Sequence, residues 1–339
     1  MIMITKTIYF YVDKINFNFP GFKIISDKIL KLIPHSKIIT DFTKLNKNEI
    51  VIPIGVVASN NLVKSKRDCQ ISFLVDAPTL CFRSIIMFYL RRRIFHSDIL
   101  MQLIRLIKYS SIEKRILRKF EKVIVVSSYD QSYLEAKYHK NNVLTISNGV
   151  DIKSSAVKVE ASFKPRLGFL YFWGVRNSID DIDWFVRSYV PKLRMVFPEL
   201  EIIAAGKGAN SEVLSYFKKF NISYMGEVNN LSEFYSEIDV YITTVRKESG
   251  ILNKVLDAMA HKKIVVALKG NMMAFDRLEN GYYYYNNVDE LIASLKDIEG
   301  NSSKVNTFID NSYEYLKKYH DWEKNYRQLF SLIKVSYDL

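Results

Sequence analysis

The sequence predicts an α/β protein built as two doubly wound domains with parallel sheets. Three observations carry that prediction. The chain has 339 residues, too many for one typical core and suited to two domains of roughly 150–180 residues. Short, unbroken apolar runs recur along both halves, as strands buried on both faces require. Between them lie segments of helical period that open on polar turns, the alternation of strand and helix that builds parallel sheets.

In the first half, Thr7 to Val12 reads as a strand. The string Asn18-Phe-Pro-Gly-Phe22 reads as a turn with Gly21 at its tip, and Ile24 to Ile33 follows with helical period, closed by Pro34. Ile50 to Ile54 and Ile71 to Val75 are further strands. The second ends in Asp76-Ala-Pro-Thr79, which belongs at the carboxyl edge of the sheet, where α/β folds bind ligands. Phe120 to Val126 leads through Ser127-Ser128 into a helix, and Val143 to Ile146 leads into Ser147-Asn-Gly-Val-Asp151. A linker is expected at about 148–165, where Lys, Ser and Glu replace periodic apolar residues.

The second half repeats the pattern. Leu167 to Phe172 is a strand, and Ser178-Ile-Asp-Asp181 has the form of a capping box opening a helix that runs to about Arg194. Leu200 to Ala204 is a strand closed by Gly206-Lys-Gly208, followed by segments at 211–220, 223–225, 231–238 and 240–244. A Gly-x-Gly without the rest of a dinucleotide fingerprint is explained by a tight strand-to-helix turn as well as by nucleotide contact. Asp181 and Asp183 fall in the expected first turn of the helix, where carboxylates complement the dipole, so no metal role is assigned to them.

Composition narrows the function. Apolar residues make up 48% of the chain and aromatic residues 14%, enough for packed cores. Cys69 and Cys81 are too few for a disulfide framework and lack metal-site spacing, which suits a reducing cytoplasm. The apolar stretch Ile4 to Val12 is short and closes with Asp13 and Lys14, so it reads as a first strand and not a signal peptide. No apolar run reaches transmembrane length. The net charge of +13 is one-sided. Residues 1–150 carry 24 Lys and Arg against 11 Asp and Glu, whereas residues 151–339 balance. The first half is therefore expected to meet an anionic partner.

Much of that charge lies between Arg83 and Lys122, with eleven cations against three carboxylates. Phe82, Ile85, Ile86, Tyr89 and Leu90 form one helical stripe; Ile99, Leu100, Leu103, Ile104 and Ile107 form another. Amphipathic helices with Arg91, Arg92, Arg93, Arg105 and Lys108 suit the headgroup plane of an anionic membrane. The competing reading is that both stripes pack on the domain's own sheet. No nucleic-acid motif is present, and nucleic acid is not expected as a partner.

Residues 241–268 are the most informative. An apolar strand runs into a polar turn holding Arg246, Ser249 and Gly250, then a helix from about Ile251 to His261, then a buried strand, Ile264 to Leu268. That layout puts a helix N-terminus, with free N–H groups and the positive end of its dipole, at the carboxyl end of a strand. Arg246 and Lys254 flank it, and Asp257 lies at i+3 from Lys254. Two cations, bare amides and one carboxylate suit a nucleoside diphosphate: charge for the phosphates, a carboxylate for ribose hydroxyls.

At Arg246, Gly250, Ile251, Asn253, Lys254, Val255, Leu256, Ala258, Met259 and Ala260 the chain resembles the GT4-type retaining glycosyltransferases of the GT-B fold. Asp257 stands where that family has a ribose-binding Glu. Ser249 stands eight positions earlier, where an acidic residue often touches the donor sugar. Ser147 to Asp151, Trp173 to Asn177 and Tyr319 to Trp322 add to the resemblance, which covers most of residues 110–335 and is thinner before 70. It implies an acceptor-binding, membrane-facing domain (1–150), a nucleotide-sugar domain (151–320) and a terminal helix (321–339) packed back on the first.

The resemblance further implies transfer with retention, without metal or other cofactor, from a nucleotide sugar to a lipid-linked saccharide acceptor. The setting would be polysaccharide assembly of O-antigen or capsule type, with the enzyme cytoplasmic and peripheral at the inner face of a bacterial membrane. Arg246, Lys254 and the amides of Gly250, Ile251 and Leu252 would stabilise the departing diphosphate. Asp257 would hold the ribose, Ser249 the sugar, and Gly21 and Asp76 would face donor and acceptor. Two alternatives stay open: a catalytically silent homologue acting as a binding partner, and a sugar-nucleotide epimerase on the same fold.

Overall fold

The computed structural model describes residues 6–65, 67–94, 97–152 and 165–339. Most of the expected linker (153–164) and the start of the N-terminal apolar stretch lie outside the described residues. Two compact units result. The first contains residues 1–149, 247–251 and 319–339; the second contains 150–246 and 252–318.

In chain order the first unit holds β1 (Ile8–Val12), α1 (Pro20–Leu32), β2 (Ser36–Ile39), β3 (Ile50–Ile54), α2 (Val56–Ser65), β4 (Ile71–Val75), α3 (Pro78–Arg91), α4 (Asp98–Lys119), β5 (Lys122–Val125), α5 (Ser128–Tyr138) and β6 (Val143–Thr145). Its six parallel strands run in the order β2-β1-β3-β4-β5-β6. Edge strand β2 was not expected, because half-exposed Ser36-Lys-Ile-Ile39 has no buried run to reveal it. Strand alternation sorts the core. Tyr9 and Tyr11 join Val51, Leu74 and Val123 in a cluster with Ala58, Leu62, Ile116 and Leu134 of α2, α4 and α5. The alternate residues Ile8, Phe10, Ile52 and Phe73 are buried outside that cluster.

The second unit holds β7 (Arg166–Leu170), α6 (Arg176–Ser188), α7 (Val190–Val196), β8 (Glu201–Ala205), α8 (Ser211–Lys219), β9 (Ser223–Tyr224), α9 (Leu231–Glu237), β10 (Val240–Ile242), α10 (Asn253–Ala260), β11 (Ile264–Leu268), β12 (Tyr283–Tyr285), α11 (Val288–Gly300) and α12 (Ser302–Tyr319). Its parallel order, β9-β8-β7-β10-β11-β12, is the dinucleotide-binding order 3-2-1-4-5-6. The order reverses between β7 and β10, which pair through Val240 with Leu167. Ligands bind outside the carboxyl ends of strands at such a reversal.

The chain ends in α13 (Trp322–Tyr337), which belongs to the first unit and packs on α1. Asn325 Nδ2 donates to the Ser147 carbonyl at 3.0 Å, and His320 Nδ1 sits 2.9 Å from the Asn148 carbonyl. The Tyr337 hydroxyl accepts the Gln70 N–H at 3.1 Å. Burial pushes the His320 imidazole down to about 4, so it is neutral at neutral pH.

Two local expectations are corrected. Gly21 is not a turn tip. Pro20 occupies the first turn of α1, where its missing N–H costs nothing, and Gly21 follows it inside the helix. Nor does Ser178 cap a helix: α6 already begins at Arg176, and the Ser178 hydroxyl donates to the Phe172 carbonyl at 2.6 Å. Asp181 and Asp183 are therefore past the first turn.

Candidate active site

The second unit brings the expected cations to the reversal point. Past β10, the chain is braced before it reaches Arg246. Asn271 Nδ2 donates to the Val245 carbonyl at 2.8 Å, Tyr285 Oη to the Thr243 carbonyl at 2.7 Å, and Trp184 Nε1 to the Thr244 carbonyl at 3.1 Å. These buried side chains fix where Arg246 leaves the sheet.

Arg246 is only 4% exposed. Its Nε donates to Asp181 Oδ1 at 2.8 Å, its main-chain N–H reaches the same oxygen at 3.3 Å, and its Nη2 lies 3.7 Å from Asp180 Oδ2. Both carboxylates come from α6, after β7. The dipole role expected for Asp181 is thus replaced by an ion pair with the principal cation of the site. Asp183 pairs instead with Arg187, at 2.7 Å.

Lys254, in the first turn of α10, places Nζ 4.5 Å from the centre of the Tyr171 ring at the end of β7. Tyr171 is itself held by a 3.1 Å hydrogen bond between its hydroxyl and that of Thr244. Burial pulls the Lys254 amine down to about 8, against the opposing pull of Asp181 and Asp257. Asp257 lies one turn on. Burial and its charge together push the phenols of Tyr235 and Tyr241 up.

The helix α10 starts at Asn253, two residues later than expected, with Leu252 extended as its N-cap. The turn Gly206-Lys-Gly208 is explained by sterics. Gly206 has φ +123°, and a Cβ there would lie 1.9 Å from the Tyr171 carbonyl oxygen.

The first unit holds the other expected residues. Asp76 follows Val75, a β-branched residue at φ +78°, a strained conformation of the kind that clusters at functional sites. Asp76 Oδ2 is 3.5 Å from Lys247 Nζ. Beside it stands Asp130, fully buried and missed by sequence reasoning. Its carboxylate accepts the N–H of Ala77 and of Gly250, each at 2.8 Å, and the Ser127 hydroxyl. Burial and then the charge of Asp76 push Asp130 up to about 6. The Ser127 cap three residues before Asp130 was the available signal, since a capping-box acid also presents a carboxylate inward.

The Gly250 amide, expected to face a diphosphate, is therefore engaged by Asp130. Gly250 has φ +69°, and a Cβ there would lie 3.2 Å from Asp76 Cβ, so a side chain there would be strained. Ser249 is 1% exposed, and its hydroxyl has no hydrogen-bond partner among the described residues. Gly21 has open space around it. Of the basic residues, Arg91, Arg93, Arg105 and Lys108 are exposed, while Arg92 lies 4.1 Å from the Phe88 ring. No three His, Cys, Asp or Glu side chains are gathered as a metal site among the described residues.

Residues 167–301 match the family model described as glycosyl transferases group 1. No curated protein matches the chain in sequence. HepE of Anabaena, solved with UDP and glucose, superposes with a TM-score of 0.66 at 13% identity, over 97% of this chain and 99% of that one. TarM of S. aureus, solved with UDP among its ligands, gives 0.63 at 15% identity over 91% of this chain. This chain spans just over half of TarM, 57% of its length. A glycosyltransferase of Rickettsia africae gives 0.57 at 13% identity over 97% and 98%. The fold is that of the GT-B glycosyltransferases, with two Rossmann-like domains.

Proposed function

We propose that this chain is a GT4-type glycosyltransferase. It moves a sugar from a nucleotide-sugar donor, with retention and without metal, to a lipid-linked saccharide acceptor in bacterial polysaccharide assembly. One observation carries the reading: buried Arg246 and half-buried Lys254 converge with the first turn of α10 at the reversal point of a dinucleotide-type sheet.

Charge develops on the leaving diphosphate as the glycosidic bond breaks, and preorganised cations and amides stabilise it without reorganising. Asp257 is the ribose ligand. The unsatisfied Ser249 hydroxyl is the partner for a donor-sugar hydroxyl, since a buried polar group costs least when a ligand completes it. Retention and the lipid-linked acceptor follow the family resemblance, and the basic first half supports a membrane location at the inner face. UDP, bound in HepE and TarM, is the first nucleotide to test.

A second reading has its own observation. Arg246 already faces two carboxylates, Asp180 and Asp181, and a site neutralised in this way fits a nucleotide-sugar binder that does not turn over. A thermal-shift screen of UDP, GDP, dTDP and CMP, followed by a turnover assay with the matching nucleotide sugar, decides. A shift with slow sugar release supports the enzyme, a shift with none supports the silent binder, and no shift with any nucleotide removes both.

A further inference from the structure

Helix α4 has its faces reversed over its first half. Its buried side chains are Gln102, Ile112, Glu113, Ile116 and Leu117. At 100° per residue these occupy one side, and Leu100, Leu103, Ile104 and Ile107 occupy the opposite one. Those four are between 42 and 73% exposed, and Met101 beside them is 49% exposed. The stripe thus turns away from the protein, against the reading that it packs on the domain's own sheet. Four large apolar side chains in one exposed row on a soluble surface mark an interaction site.

The same outward face changes character along its length. After Ile107 it carries Ser111, Lys114, Arg115 and Arg118, all exposed. With 22 residues the helix is about 33 Å long. Its outer face is therefore an apolar patch about 10 Å long followed by a cationic patch of similar length. Exposed Arg105 and Lys108 lie to one side of the apolar part, and exposed Leu90 and Arg91 close the preceding helix α3, with exposed Arg93 just beyond it.

We infer that α4 is an interfacial anchor for an anionic phospholipid bilayer, with its first half inserted and its second half on the headgroups. Apolar side chains on one helical face reach about 5–10 Å into the acyl boundary, and the basic run meets the negative surface potential beyond them. A protein partner would need acidic groups arranged beside an apolar groove; an anionic bilayer presents both features everywhere. This rests on the membrane reading above and deepens it. Docking has an apolar component that salt does not screen, besides the electrostatic one that it does. Among the described residues no helix is long and apolar enough to cross a membrane.

The test uses the full chain with vesicles of phosphatidylcholine, alone or with phosphatidylglycerol, at 0.1 M and 1 M salt. Wild type should sediment with anionic vesicles and keep a measurable part of that binding in high salt. Ile104→Glu with Ile107→Glu should lose about tenfold or more at both salts. Lys114→Glu, Arg115→Glu and Arg118→Glu together should lose the preference for anionic lipid. Because a multiple variant can misfold, Ile104→Trp provides a second readout: brominated lipid should quench its fluorescence. Absence of quenching, or no vesicle binding by wild type, overturns the inference. So does concentration-dependent dimerisation that Ile104→Glu abolishes, since the stripe then covers a second copy. Nucleotide binding measured on the same samples is independent of α4, so its loss would count against the proposed function instead.

Discussion

Asp181 Oδ1 takes both the side-chain Nε–H and the main-chain N–H of Arg246, at 2.8 and 3.3 Å. One oxygen therefore fixes both the backbone and the guanidinium of the residue expected to meet the diphosphate. The pair is nearly dry, with Arg246 4% and Asp181 15% exposed at the side chain, so the two must be removed together to be judged fairly.

Arg246→Ala should lower turnover on the order of a hundredfold or more, as loss of one preorganised donor does. It should also destabilise the protein by about 3 kcal/mol, because the largely buried Asp181 carboxylate loses its guanidinium. Arg246→Ala with Asp181→Asn should recover most of the melting temperature and none of the activity. If the double variant regains turnover along with stability, Arg246 is structural and the site lies elsewhere.

Turnover should persist in EDTA. Asp180 and Asp181 face Arg246 and Asp183 pairs with Arg187, and in the proposed mechanism Arg246 and Lys254 offset the leaving group. Titrating a chelated enzyme with Mg²⁺ or Mn²⁺ checks this. Activity that appears only on adding metal would show that a diphosphate–metal complex displaces Arg246 from Asp181.

Much of this was legible in the sequence. The second sheet was visible because its central strands are continuous apolar runs such as Ile264-Val-Val-Ala-Leu268, buried throughout. Arg246 and Lys254 were singled out because they flank a polar turn and a helix start between two buried strands. The partners were harder. Asp181 lies 65 residues before Arg246, and only the reversal of strand order brings α6 beside the turn after β10. Asp130 was missed because its contacts with Ala77 and Gly250 are non-local. The stripe on α4 was correctly seen as apolar, but period alone gives the faces of a helix and not which of them is covered.

Asp257 is one methylene shorter than the glutamate it replaces in the family pattern, which draws the carboxylate back by about 1.5 Å. Asp257→Glu should be tolerated, because it restores the side-chain length of the family pattern. Asp257→Asn should weaken nucleotide binding by about tenfold, the usual cost of a charge-assisted hydrogen bond. Calorimetric titration with UDP distinguishes them. Equal affinity of Asn and wild type would remove the ribose role.

Lys254 gives the prediction with the clearest sign. Burial lowers its folded-state value from the ordinary 10.5 to about 8. Between about pH 8 and 10.5 the unfolded chain holds the proton and the folded chain does not, so this residue favours folding as pH rises through that window. Nucleotide binding should move the opposite way. A diphosphate beside Nζ favours the ammonium form, so binding takes up a proton near pH 8, and affinity falls as pH rises above it. From pH 7 to pH 9 the free enzyme goes from mostly charged to about one-tenth charged at this site, which predicts roughly tenfold weaker binding. Lys254→Ala should bind weakly at both values and lose the dependence, while Lys254→Arg, charged throughout, should bind without it. Titrations at pH 7 and 9 in buffers of different ionisation enthalpy report the affinity and the proton together. A wild-type affinity that is flat across this range, with no proton uptake, would place Lys254 away from the phosphates and leave Arg246 to hold them alone.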